Sequence, residues 1–231
     1  MKSRAFQWPI VHRRHPATTC APASGDVLVF VDLETTGGQA WRPIMQIAAV
    51  AVTRTGQELE TFERKLRFAE KRATLRALRK REYQQASWHR ETQRPAEVAR
   101  DFAAFLSRYA TVLFTGRQGR PLSVAQLVAH NAAFDGPFLR NWFAQQRMFL
   151  PADYRVFCTL QRALWFFQEQ PSLVPPNDFK LGTLCQYFGI PWNRNSAHDA
   201  LYDVRATVQL YHKLLTLSAR TSRDIPDVSV A

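Results

Sequence analysis

Asp32 and Glu34 stand two apart where the apolar run Val27-Leu-Val-Phe-Val31 gives way to polar residues. On a strand, side chains two apart share a face, so both carboxylates are presented together where the core pattern stops. Two carboxylates this close repel unless a cation lies between them, and oxygen ligands suit Mg²⁺ or Mn²⁺. Thr35-Thr36-Gly37-Gly38 follows at once, a turn whose backbone and hydroxyls can approach a sugar or a phosphate. Taken alone, Asp-x-Glu is also the pattern of an acidic strand end entering a loop.

Two further clusters combine acid and imidazole. In His130-Asn-Ala-Ala-Phe-Asp135 the aspartate falls at the start of a predicted helix, where a capping carboxylate is the ordinary structural explanation. In His198-Asp-Ala-Leu-Tyr-Asp203 the second aspartate lies beside Val204, on the packed stripe of the last helix, and can face the sheet end. Residues five apart on a helix are about 140° out of phase, so His198 is expected on the preceding loop, over a site that Asp203 helps to form.

Taken in order, Asp32-Leu-Glu-Thr-Thr-Gly37, His130-Asn-x-x-Phe-Asp135 and His198-x-x-x-x-Asp203 resemble the three exonuclease motifs of the DEDDh branch of the DnaQ-like family. The resemblance runs from about residue 26 to 217 and takes in Cys158-Thr-Leu160 and Lys180-Leu-x-x-Leu184. It implies an RNase H-like fold and a 3′-to-5′ exonuclease that releases nucleoside 5′-monophosphates from single-stranded DNA or RNA. Asp32, Glu34, Asp135 and Asp203 would hold two Mg²⁺ or Mn²⁺ ions, with His198 as general base. The chemistry agrees: paired ions activate a water and stabilise the leaving 3′ oxygen, and an imidazole takes the proton. A sister branch has Tyr-x-x-x-Asp in the third motif, which would put tyrosine at 199; that position is aspartate. Thr35, Thr36, Met45, Asn131 and Phe134 are candidate substrate contacts, and core packing is the other use of Met45 and Phe134. His130 reads as a strand-end structural residue.

The elements that must position these groups follow from periodicity. Strands are predicted at 27–32, 44–54, 58–66 and 123–129, the second and third joined by a hairpin turn at Thr55-Gly56. Helices are predicted at 69–83, after Pro95, from Pro137 to 146, and at 154–167, 180–188 and 200–217. Val98, Phe102, Phe105 and Tyr109 form one apolar stripe; Leu201, Val204, Val208, Tyr211 and Leu215 form another. The fold class is α/β with a mixed central sheet flanked by helices, as one domain over 26–217 between a basic N-terminal tail (1–25) and a short polar tail (218–231).

The chain has 231 residues and a net charge of +12 that is unevenly spread. Residues 1–25 hold four cations and no acid, and Glu63–Glu82 holds nine cations against three acids. A concentrated basic surface suits a polyanion, so Lys71, Arg72, Arg76, Arg79 and Lys80 join the candidate substrate contacts, with Tyr83 and Trp88 among them. A solvated helix face plus a loose tail explains the same charge. Cys20, Cys158 and Cys185 show no CxxC spacing, so neither a disulfide framework nor a zinc site is suggested. With no signal peptide or membrane span, the expectation is a soluble cytoplasmic protein. Its partners would be a nucleic acid with a free 3′ end and, in one reading, a polymerase or another protein. A catalytically silent nucleic-acid-binding module is the rival; its mark would be a lost carboxylate, and all four are present.

Overall fold

The computed structural model describes residues 27–80, 88, 91–115 and 121–222. Strand β1 (Val27–Thr35) lies between β2 (Ile44–Thr53), to which it is antiparallel, and the later β5 (Pro121–Ala129), to which it is parallel. Strand β3 (Glu58–Lys65) extends the hairpin, and β4 (Ala110–Thr115) pairs antiparallel with β5, giving the order β3-β2-β1-β5-β4. A two-residue strand β6 (Phe157–Cys158) runs parallel to the end of β5. At the β2–β3 turn Gly56 has φ +92°, which a residue with a Cβ resists, and its N–H donates to the Thr53 carbonyl.

Helices among the described residues include α1 (Leu75–Lys80), α2 (Pro95–Arg108), α3 (Ala132–Gln145), α4 (Thr159–Glu169), α5 (Leu181–Tyr187) and α6 (Ala200–Ser222). One sheet face presents Val29, Val31, Leu33, Ile47 and Ala49 to Val98, Phe102 and Phe105 of α2 and to Phe138 and Leu139 of α3. The other presents Leu28, Phe30, Ala48, Val50 and Val128 to Ala200 and Val204 of α6. The α6 stripe read from the sequence therefore meets the sheet, except that Leu215 is 43% exposed. A second face of the same helix, Ala206, Leu210 and Leu214, closes a separate core with Phe166, Phe167, Leu184 and Phe188 of the α4–α5 region. Truncating a fully buried aromatic such as Phe102 costs about 3–5 kcal/mol.

Five expectations need correcting. The helix expected over 69–83 is a 3-10 turn at Glu70–Arg72 followed by α1. Thr74 makes the break: its hydroxyl accepts the Ala77 N–H as a cap, and its N–H and hydroxyl both donate to the Thr36 carbonyl. Helix α3 begins at Ala132 rather than Pro137, because Asn131 turns the chain through a left-handed conformation (φ 65°). Pro137 then forfeits one hydrogen bond inside the helix. Strand β4 follows Tyr109 without an intervening turn residue, and β6 occupies part of the helix expected from 154. Of the polar tail expected over 218–231, residues 218–222 belong instead to α6, which outruns its predicted end at 217; the rest of it, residues 1–25 and Tyr83 lie outside the described residues.

Candidate active site

Alternation along β1 decides where the acids go. Leu28 and Phe30 face α6, whereas Val29, Val31 and Leu33 face α2 and α3; the next residues of the first set are Asp32 and Glu34. Glu34 is 4% exposed and Asp32 is half-buried. Removing a carboxylate from water costs several kcal/mol unless something cationic or hydrogen-bonding repays it. The parallel register pairs Phe30 with Val128, so two residues on, the chain leaving β5 at His130 comes level with Asp32. Helix α3 thus starts beside the acidic end of β1.

Helix α6 supplies the other wall, and its first turn separates two aspartates by role. The Asp199 carboxylate accepts the Tyr202 N–H at 2.9 Å, the geometry of an N-cap. Asp203, one turn on, is 8% exposed and accepts the His198 backbone N–H at 3.2 Å. His198 precedes the helix in a left-handed conformation (φ 71°), which brings its Nδ1 to 3.8 Å from Glu34 Oε1. Donor atoms of Glu34, His198 and Asp203 all lie within 4.8 Å of one another. A buried strand end, a loop and a helix start therefore converge there.

Asp135 approaches from α3. It is 2% exposed and sits inside the helix rather than at its cap, which corrects the capping alternative: the earlier start of α3 carries it one turn in. Burial first, and the nearby Asp32 carboxylate second, hold Asp135 well above the usual carboxylate range, against backbone hydrogen bonds at Asp135 itself and at Leu33. Two acids that resist joint ionisation form a donor set suited to a hard divalent cation, which would relieve both burial and repulsion. The oxygens of Asp32, Glu34, Asp135 and Asp203 could hold such ions.

The remaining candidates divide. The His130 Nε2–H donates to the Phe179 carbonyl at 3.0 Å, and Nδ1 accepts from the Thr159 hydroxyl at 2.9 Å. Burial lowers its pKa to about 4, so it is a neutral brace between β5 and α4. The Thr35 hydroxyl donates to the Gly37 carbonyl and the Thr36 hydroxyl to the Pro43 carbonyl, both within the turn, and Thr36 has no exposed surface. Met45 is likewise fully buried and presents no face to a base, because β2 is covered along its length. Phe134 packs against Phe138 (centroids 4.6 Å apart) at the edge of the core, and Asn131 is exposed.

Lys71, Arg72 and Arg79 are exposed; the side chains of Arg76 and Lys80 lie outside the described residues. Trp88 donates to the Leu66 carbonyl and packs on Phe68, so it closes the end of β3. Two groups escaped sequence reasoning. Arg140, half-buried on α3, folds toward Gly136, where a Cβ would lie 3.2 Å from Nη1, and burial lowers its pKa. Trp41 and Arg42 lie on the loop after Glu34, with no motif to mark them.

An exonuclease family model, RNase T, matches residues 120–211. A PolC-type DNA polymerase III of Halalkalibacterium halodurans is 31% identical over 210 residues, 88% of this chain and 12% of the polymerase. A ribonuclease T of Baumannia cicadellinicola is 33% identical over 105 residues, 46% of this chain and 45% of that protein. The chain thus spans under half the length of each. Among solved structures, E. coli exonuclease I in complex with a dT13 oligonucleotide superposes with a TM-score of 0.65 at 20% identity, covering 86% of this chain and 42% of the other. Its complex with a 5cy-dT13 oligonucleotide gives 0.66 at 18% identity, over 84% and 41%. The mixed sheet with flanking helices is similar to the fold of the part of that exonuclease it covers. Among the described residues, no helix is long and apolar enough to cross a membrane.

Proposed function

From the premise that this chain carries an RNase T/DnaQ-like exonuclease domain, we propose that it is a DEDDh-type 3′-to-5′ exonuclease acting on single-stranded DNA or RNA. The observation that carries this reading is the convergence of Glu34, Asp203 and His198 within 4.8 Å, with Asp32 and Asp135 adjoining. Mg²⁺ or Mn²⁺ held by the four carboxylates would polarise the scissile phosphate and neutralise charge on the leaving oxygen. The chain's own contribution is placement. Buried Glu34, Asp135 and Asp203 fix the acidic floor, and the His198 backbone is pinned to Asp203 with its ring at the opening, 45% exposed. From there the imidazole takes the proton of the attacking water as its oxygen bonds to phosphorus and the bond to the penultimate 3′ oxygen breaks. The terminal nucleotide leaves as a 5′-monophosphate.

The test is digestion of matched end-labelled DNA and RNA, single and double stranded, with Mg²⁺ or Mn²⁺. Nucleoside 5′-monophosphates lost stepwise from the 3′ end support the reading; internal cuts, 5′ polarity or no product on any strand overturn it. Work beside a polymerase is a second reading, favoured by the identity to a segment of the PolC-type enzyme. Its measure is co-purification of a polymerase with the tagged chain from its own cells.

A further inference from the structure

The hairpin loop between β1 and β2 directly follows Glu34, and it is held in place along its length. The Thr36 N–H and hydroxyl both donate to the Pro43 carbonyl. Asn141 of α3 donates to the Ala40 carbonyl at 2.7 Å, and Arg72 donates to the Trp41 carbonyl at 2.9 Å. Arg42 returns a bond to the Arg72 carbonyl at 2.7 Å and another to the Gln39 side chain at 2.6 Å. On this fixed backbone the Trp41 indole is 49% exposed.

A lone exposed aromatic needs no explanation by itself. Trp41 differs in what surrounds it. The Arg42 guanidinium lies 4.5 Å from the ring centroid, over one face of the indole. Gly37 makes room for that side chain, since a Cβ there would come within 2.4 Å of Arg42 Cδ. A cleft of about 180 Å³ beside the loop is lined by Pro43, Phe68, Arg67 and Arg72. Trp41 is three residues from Ile44, which pairs across the strands with Thr35, so its backbone lies within roughly 16 Å of the acidic strand end.

We infer that Trp41 is the stacking platform for one base of the substrate strand near its 3′ end, with Arg42 backing the ring and Arg67 and Arg72 facing the phosphates that follow. The inference rests on the nuclease reading above and deepens it. Stacking tolerates any base, because every base offers a π-face, so the platform fixes the strand without selecting sequence. It also places cations just outside a site whose own residues are acidic, where the phosphodiester backbone needs them. Because the loop is already ordered, little conformational entropy is lost on binding.

The experiment compares wild type, Trp41→Ala and Trp41→Phe in Ca²⁺, using oligothymidylates that carry 2-aminopurine or an abasic residue at successive positions from the 3′ end. The expected result is an affinity loss of roughly 5- to 100-fold for Trp41→Ala. Quenching of 2-aminopurine is lost at one position, and Trp41→Phe restores much of both. An abasic residue at that position should bring wild type down to Trp41→Ala, whereas a merely structural role would lower binding of every oligonucleotide alike. Equal affinity for wild type and Trp41→Ala, with wild type still degrading the strand, overturns the platform and leaves the nuclease reading standing. Wild type that degrades no nucleic acid overturns both.

Discussion

Asp199 and Asp203 lie one turn apart at the start of α6, and their surroundings predict opposite consequences for the same kind of change. Asp199 is exposed and its carboxylate receives the Tyr202 N–H. Replacing a capping aspartate by alanine costs about 0.5–2 kcal/mol, and in a domain of this size each kcal/mol shifts Tm by about 2–4 °C. Asp199→Ala should therefore melt roughly 1–8 °C lower while keeping its turnover within a few-fold. Asp203→Asn retains shape and an oxygen that can accept the His198 N–H. It removes a negative charge from a site where Glu34 and Asp135 are also buried, so its melting temperature should match or exceed wild type without divalent ions. Its turnover should fall at least about a hundredfold, the scale of losing a ligand or a proton-transfer partner. The assay pairs thermal melting with release of the 3′ nucleotide from a labelled strand in saturating Mn²⁺. If Asp199→Ala is inactive, or Asp203→Asn keeps more than a tenth of the turnover, the division between cap and site is wrong.

Four further outcomes can be measured. His198→Ala should slow the chemical step by about two to four orders of magnitude and remove the acidic limb of the pH–rate profile; a limb that persists would assign the proton to another group. Asp135 titrates above its unfolded range, so the stability it contributes without metal is greatest at acid pH and is lost as pH rises through the folded value. Asp135→Asn should abolish that decline, and an unchanged stability–pH curve in EDTA would refute it. His130 falls from 6.5 to about 4, so it favours the fold above the unfolded value and withdraws that support as pH drops from 6.5 toward 4. His130→Gln should melt lower at pH 7 but show a flatter fall across that window. Neutralising Lys71, Arg72, Arg76, Arg79 and Lys80 together should flatten the salt dependence of single-strand binding by roughly 0.7 in log–log slope per lost phosphate contact; identical slopes would assign the segment to a solvated face.

Periodicity carried the fold wherever one face alone is buried. The β2–β3 hairpin, the α2 stripe through Phe102 and Phe105, and the α6 stripe through Val204 were readable because alternation or a three-four step survives intact. The mixed sheet followed from them. Strand β4 was hidden because Tyr109 passes into it with no turn residue, and β6 because two residues carry no period; tertiary pairing with Val128 and Ala129 alone makes it a strand. The start of α3 was misplaced because the left-handed turn at Asn131 outranks the preference of proline for a first helical position. Motif spacing singled out Asp32, Glu34, Asp135, His198 and Asp203, and the fold brings ligand atoms of Glu34, His198 and Asp203 within 4.8 Å of one another. Spacing could not show that Thr36 and Met45 are sealed inside, since burial at a loop base depends on what folds over it. The Trp41–Arg42 pair was invisible for the same reason: Asn141 and Arg72, which hold the loop, are distant in sequence.

The two-faced packing of α6 has a consequence for how the protein is made. Glu34 belongs to the first strand and Asp203 to the last helix, so the acidic cluster is a contact of very long sequence separation. At the usual ~5–20 residues per second of synthesis, about 170 residues take roughly 10–30 s to follow β1. Throughout that interval the nascent chain displays Asp32 and Glu34 without the helix that completes their surroundings. A ribosome-bound chain that ends short of α6 hence lacks the Asp203 carboxylate and the packing that buries Glu34 beside it. The cluster is complete only when Ala206 and Leu210 pack on the α4–α5 core and Val204 on the sheet.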